Sequence, residues 1–174
     1  MSERQLEAQV MWQGKYICAM RQGQWEYASR CKAMTAVVIY AEVDGAVLLI
    51  EQERVPIGKR CIELPAGLVG DEDEQATIEE TAAKELREET GYEAERFDIV
   101  GEFYSSPGMI AESFTLVHAH GLAKVGDGGG NEHEEIVVHL VPKAEIRGFV
   151  ERMRSRDRAI DVRILALGDF LGAD

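Results

Sequence analysis

The chain has 174 residues, 45% of them hydrophobic and 29% charged, the length and make-up of one globular domain that buries most of its apolar surface without disulfide or metal staples. A formal net charge of −13 weighs against a nucleic-acid backbone as partner, because such binding is driven by Lys and Arg displacing counterions, and no apolar run approaches the ~20 residues that span a bilayer. The opening Met-Ser-Glu-Arg-Gln-Leu-Glu is no secretion signal, and Cys18, Cys31 and Cys61 are odd in number with no metal-type spacing, so the expectation is a cytoplasmic protein with reduced, packing thiols.

Residues 7–30 carry two short strand-like stretches around Gly14 and Gly23, the second being Gln24 to Arg30; these predict a small sheet of their own. Thr35 to Val43 is apolar and rich in strand formers, Asp44-Gly45 is a hairpin turn, and Ala46 to Gln52 resumes the run, which predicts a paired core hairpin. A helix is predicted from about Glu74 to Thr90, because Ile78, Ala82 and Leu86 recur at spacing four and Gly91 follows as a left-handed cap. Strands are predicted near Phe97 to Tyr104, Phe114 to His120 and Ile136 to Val141. The glycine density of Val125 to Glu132 predicts a mobile loop. Two amphipathic helices, Ala144 to Arg154 and Ala159 to Leu171, are expected to close the chain, and the element order predicts a mixed sheet with helices on both faces.

On the predicted helix Glu85, Glu88 and Glu89 stand at i, i+3 and i+4. Their side chains share one face opposite the apolar stripe, and three converging carboxylates need cations to answer their repulsion. Oxygen ligands of this kind suit Mg²⁺ or Mn²⁺, hard ions that keep several waters beside a polyphosphate.

Lys84-Glu85-Leu86-Arg87-Glu88-Glu89-Thr90-Gly91-Tyr92, preceded by Glu63-Leu64-Pro65-Ala66-Gly67, resembles the signature of the Nudix hydrolases. The match departs in two places. Lys84 stands where the family carries arginine, and it lacks the guanidinium fork, although it can pair with Glu80 and Glu88. Gly67 precedes Lys84 by seventeen residues where the family has fourteen, so an insertion lies in Asp71 to Thr77 and the early glutamate of the motif falls on no assignable residue.

The resemblance implies an α/β/α sandwich with a mixed sheet, with residues 1–32 as an N-terminal β segment that forms a dimer and 33–174 as the Nudix domain. It implies metal ligation by Glu85, Glu89 and the carbonyl of Ala66, with Glu88 catalytic beside them. Pro107, fifteen residues beyond Tyr92, resembles the marker of the ADP-ribose pyrophosphatase branch. By likeness to that branch, Glu132 in the glycine-rich loop is expected to be the base that activates water and Glu134 a further metal ligand. Substrate contact is expected from Trp25, Glu26, Arg30, Arg54, Leu68, Ser106, Pro107, Gly108 and Glu112. Trp25 offers a flat ring for an adenine, and in this branch such N-terminal residues reach the nucleotide across a homodimer interface.

The implied reaction is Mg²⁺- or Mn²⁺-dependent hydrolysis of a nucleoside diphosphate derivative, ADP-ribose to AMP and ribose 5-phosphate first. A nucleotide sugar or another dinucleotide is the alternative within the same chemistry. A non-catalytic nucleotide-binding module is the alternative of a different class.

Overall fold

The computed structural model describes residues 6–32, 34–71, 73–130 and 135–166. Three strands come first, β1 (Gln9–Gln13), β2 (Ile17–Gln22) and β3 (Trp25–Arg30), in an antiparallel sheet of that order. A backbone clamp ties this sheet to the rest of the chain: Ala28 donates to the Met109 carbonyl and receives from Ala111, both at 2.9 Å.

The main sheet starts with β4 (Thr35–Val43) and β5 (Ala46–Arg54). Asp44 and Gly45 between them both have positive φ, 50° and 78°, the geometry of the two-residue turn that an Asp-Gly pair favours. β4 and β5 pair only next to this turn, at Glu42–Val47 and Val43–Ala46. Beyond it they splay. β4 takes β7 (Ala66–Val69) and the parallel β10 (Ser113–His120), with β9 (Arg96–Tyr104) outside β10. β5 takes β6 (Lys59–Glu63) and β12 (Val137–Pro142), and β13 (Ala159–Ile160) adds in parallel to β6. A cleft opens at the splayed end, between the start of β4 and the end of β5.

Both faces of β4 and β5 are buried, which explains why their sequences run apolar without alternation. Val38, Tyr40 and Leu49 point to a core completed by α2 (Ile146–Ser155), whereas Val37, Ile39 and Leu48 pack on Ala82 and Leu86 of α1 (Ile78–Thr90). The arrangement is the expected α/β/α sandwich. Two-residue strands β8 (Tyr92–Glu93) and β11 (Ala123–Lys124) pair beside the end of α1. No helix among the described residues is long and apolar enough to cross a membrane.

Three expectations need correcting. α1 starts at Ile78 rather than Glu74, because Thr77 caps it reciprocally with Glu80: the Glu80 amide donates to the Thr77 hydroxyl at 3.2 Å and the Thr77 amide to the Glu80 carboxylate at 2.9 Å. The helix expected from Ala159 to Leu171 is, within the described residues, β13 and a 3-10 turn, Val162–Ala166. Its register on β6 is held by the Asp161 amide on the Ile62 carbonyl, 2.9 Å, and the Asp161 carboxylate takes the Arg163 amide at 2.7 Å, a local bond that competes with helix formation. The described part of the glycine-rich loop, Val125 to Gly130, is hydrogen-bonded to the end of α1 rather than loose.

Candidate active site

α1 is oriented by its C-terminal end. Gly91 adopts φ +73° as its cap, and a Cβ there would lie 2.2 Å from the Gly126 carbonyl oxygen. This close approach lets the glycine-rich segment lay its amides on the helix's last carbonyls: Val125 and Gly126 donate to Gly91, Gly129 to Glu89 and Gly130 to Glu88, at 2.8 to 3.1 Å. The Ile136 amide then returns to the Gly129 carbonyl at 3.1 Å. Both sides of the loop base are thereby fixed next to the carboxylate-bearing turns, satisfying carbonyls that a helix end leaves without partners.

Glu89 is 4% exposed, and its Oε2 accepts the Ala66 amide at 3.0 Å. Glu85 lies flat on Gly67: a Cβ at that glycine would be 2.1 Å from Glu85 Oε1. The Glu-Leu-Pro-Ala-Gly segment is therefore shaped to α1, its glycine making room for one carboxylate while the preceding amide holds another. Glu88 is half exposed, with Lys84 Nζ at 3.8 Å from its Oε2.

These groups open on a cavity of about 1000 Å³ at the splayed end of β4 and β5, a size suited to a nucleotide-sized ligand. Across it lies a network built on β6. Arg54 donates through Nε and Nη2 to the two oxygens of Glu63, both at 2.7 Å, and Arg163 Nη2 is 3.7 Å from Glu63 Oε2. Arg163 in turn forks onto Asp161 at 2.7 and 2.5 Å. Burial works against ionisation of Asp161, but the hydrogen bonds and charge of Arg163 outweigh it and leave the carboxyl below its ordinary pKa. Arg30 from the N-terminal sheet reaches the same cavity and pairs with Glu112 at 2.6 Å.

Of the residues expected from the sequence, Ala66, Glu85, Glu88, Glu89, Arg30, Arg54, Leu68 and Glu112 line this cavity. Trp25 and Glu26 are exposed on β3 and Ser106, Pro107 and Gly108 form a turn, and none of these five lines it. That turn, closed by the amides of Met109 and Ile110 on the Ser106 carbonyl, presents Met109 to Ala28. Glu132 and Glu134 lie outside the described residues. The sequence reading assigns no role to Glu63, Asp161 or Arg163. Glu63 carries a visible signal, being the first residue of the quoted Glu-Leu-Pro-Ala-Gly, whereas Asp161 and Arg163 sit in a segment read as helix and carry none.

Nine carboxylates and four basic side chains are among the residues lining the cavity. Such an excess repels a diphosphate unless cations intervene, and the donor set is all oxygen, which fits Mg²⁺ or Mn²⁺. Among the described residues no three acidic, histidine or cysteine side chains close on one point as they stand. That is compatible with Mg²⁺, which takes one or two carboxylates and completes its shell with waters and phosphate oxygens.

A profile of the NUDIX domain matches residues 32–163. An ADP-ribose pyrophosphatase of Bacillus subtilis is 38% identical over 84 residues, 48% of this chain and 42% of that one. A GDP-mannose pyrophosphatase of Cronobacter sakazakii is 37% identical over 131 residues, 70% of this chain and 66% of that one. A crystal structure described as an ADP compounds hydrolase superposes with a TM-score of 0.66 at 20% identity, covering 84% of this chain and 81% of that one, a likeness of fold. The chain spans about half the length of the first curated relatives it matches. With the profile covering most of its length and the signature carboxylates on the turns that face the cavity, the chain belongs to the Nudix family.

Proposed function

We propose that this protein is a divalent-metal-dependent pyrophosphohydrolase of nucleoside diphosphate derivatives, with ADP-ribose, cleaved to AMP and ribose 5-phosphate, as its first substrate. The observation that carries the proposal is the cavity itself, in which the carboxylates of α1 and the guanidinium groups of Arg54 and Arg163 line one space. Glu85, Glu89 and the Ala66 carbonyl would hold Mg²⁺ or Mn²⁺, with Glu134 from the loop. When bound, such an ion neutralises phosphate charge and lowers the pKa of a coordinated water.

The chain's own residues do the rest. Gly67 and the Ala66 amide fix the carboxylates, Lys84 offsets the charge of Glu88, and Arg54 and Arg30 hold substrate oxygens, each already steered by a carboxylate. Glu132 is the proposed base, supported by the loop base: Gly129 and Gly130 donate to the Glu89 and Glu88 carbonyls at the end of α1, and the Ile136 amide closes on the Gly129 carbonyl. Glu132→Gln should lower kcat by roughly a hundredfold with KM nearly unchanged, since the amide cannot accept a proton but keeps size and polarity. Glu134→Gln should raise the Mg²⁺ concentration needed for half-maximal rate. A near-normal kcat in Glu132→Gln at saturating metal and substrate assigns the base to Glu135 or Glu112 instead.

A nucleotide sugar is the second reading, favoured by the likeness to a GDP-mannose pyrophosphatase. The test is kcat/KM across ADP-ribose, GDP-mannose and a dinucleotide, with products identified by mass spectrometry; a clear preference for GDP-mannose moves the assignment to the second reading. A purely binding module would hold these compounds without cleaving any of them.

We also propose a homodimer formed through the N-terminal sheet. Trp12 and Ile17, 58 and 48% exposed, share one face of that sheet by strand register, and Val10 and Trp25, both 53% exposed, share the other; large apolar side chains left open in this way mark an interface, and Arg30, opposite Ile17 in register, reaches the cavity. Light scattering at micromolar concentration should give twice the chain mass, and Trp12→Glu should shift it toward the monomer. A monomer in the wild type removes this part of the account.

A further inference from the structure

Two of the three cysteines have a relation that their sequence spacing hides. Cys18 lies on β2 opposite Ser29, and Cys31 follows β3, its amide on the Tyr16 carbonyl at 3.0 Å. They are therefore diagonal neighbours across an antiparallel pair, and the twist of the hairpin brings their sulfurs to 2.7 Å. A disulfide bond is about 2.05 Å long, so bonding requires the sulfurs to close by less than an ångström. Cys18 is buried and Cys31 half-buried, so Cys31 is the more accessible residue of the pair. Cys61 is buried on β6, where desolvation, reinforced by Glu63, pushes its thiol up to about 12.

We propose that Cys18 and Cys31 are a redox modification site, joined by a reversible disulfide when the protein meets a peroxide. The Cys31 thiolate attacks a peroxide oxygen; the O–O bond breaks, an S–O bond forms, and the departing oxygen leaves as water or alcohol with the thiol proton. Cys18 then attacks the Cys31 sulfur, forming S–S, breaking S–O and releasing water with the second proton. Two electrons pass from the pair to the peroxide. The hydrogen bond to Cys31 holds the Cys18 thiol above its ordinary pKa, consistent with Cys31 reacting first.

The bond would staple β2 to the end of β3. Arg30 immediately precedes Cys31 and pairs with Glu112 in the cavity, and β4 begins four residues after Cys31 at Thr35. The staple therefore constrains the junction between the N-terminal sheet and the Nudix domain. Any effect on catalysis rests on the function proposed above; formation of the bond does not.

The test is peptide mapping of the purified full chain after exposure to hydrogen peroxide, with free thiols alkylated under denaturing conditions. The expected product is a cross-linked Cys18–Cys31 peptide, lighter by about 2 Da than the reduced pair and restored by dithiothreitol, with Cys61 alkylated throughout. Amide hydrogen exchange over residues 17–31 should slow on oxidation and recover on reduction. In Cys18→Ala, Cys31 should be trapped as sulfenic acid by dimedone, which separates the pair's chemistry from any loss of fold. Recovery of both thiols alkylated, a Cys31 bridge only between chains, or overoxidation of Cys31 in the wild type with Cys18 still free would overturn the proposal.

Discussion

Glu89→Gln should lower kcat/KM by about a hundredfold or more while leaving the fold intact. Glu89 is buried on α1 and accepts the Ala66 amide at 3.0 Å; the amide oxygen of glutamine preserves that bond in an isosteric side chain. What it removes is one charge from the group assigned to hold the metal, and loss of such stabilisation costs several kcal/mol in the transition state. Repulsion from Glu85 and Glu88 falls at the same time, so the melting temperature should hold or rise. Steady-state kinetics at saturating Mg²⁺, run beside thermal denaturation, check both halves. Unchanged turnover would remove Glu89 from the machinery.

Gly67→Ala is expected to be nearly as damaging, although it deletes no functional group. The new Cβ would lie 2.1 Å from Glu85 Oε1, 2.3 Å from Cδ and 2.4 Å from Cγ. β7 cannot yield readily, because Gly67 is registered on Val37 in the middle of the β4–β7 pairing. Glu85 must therefore swing away, and the proposed metal-ligand group would lose its geometry. A rate loss of roughly tenfold to a hundredfold is expected, with a higher Mg²⁺ requirement and a stability cost of about 1–3 kcal/mol for overpacking. A Mg²⁺ titration of the variant reads this directly, and an unshifted curve with a normal rate would mean that Glu85 is not a ligand.

The parts of this fold that could be read from the chain are those whose signals are local. Asp44-Gly45 forces its own turn, and Gly91 ends α1 because only a residue free of Cβ accepts both φ +73° and the nearby Gly126 carbonyl. The Thr77-to-Glu80 capping pair was also visible at the right spacing and would have set the start of α1. β6 and β7 were harder: each is only four or five residues long, and Leu64-Pro65 breaks the run between them. Within the described residues, Ala159 to Ala166 departs from the expected helix because Ala159 and Ile160 complete a sheet edge as a short strand on β6. Which alternative wins depends on β6 offering that edge, a tertiary fact.

The same division holds for the site. Glu85, Glu88 and Glu89 are legible because helical periodicity alone puts them on one face. Arg163 is not, since its place in the cavity depends on Asp161 being drawn onto Ile62 and on the pairing of Arg54 with Glu63, about a hundred residues upstream. Arg30 lies between these extremes: its role was suggested by resemblance, and its route to the cavity runs through the clamp between Ala28 and the Met109 to Ala111 segment.

The central claim is that the carboxylate-lined cavity hydrolyses a nucleoside diphosphate derivative with the help of a divalent cation. Its most direct test is to incubate the wild-type protein with ADP-ribose and Mg²⁺ in ¹⁸O-labelled water and to weigh the products by mass spectrometry, with and without EDTA. The account predicts AMP and ribose 5-phosphate, one of them carrying the label in its phosphate, and no product once the metal is chelated. Intact ADP-ribose in the presence of Mg²⁺ and of Mn²⁺, or cleavage that proceeds equally in EDTA, would contradict it.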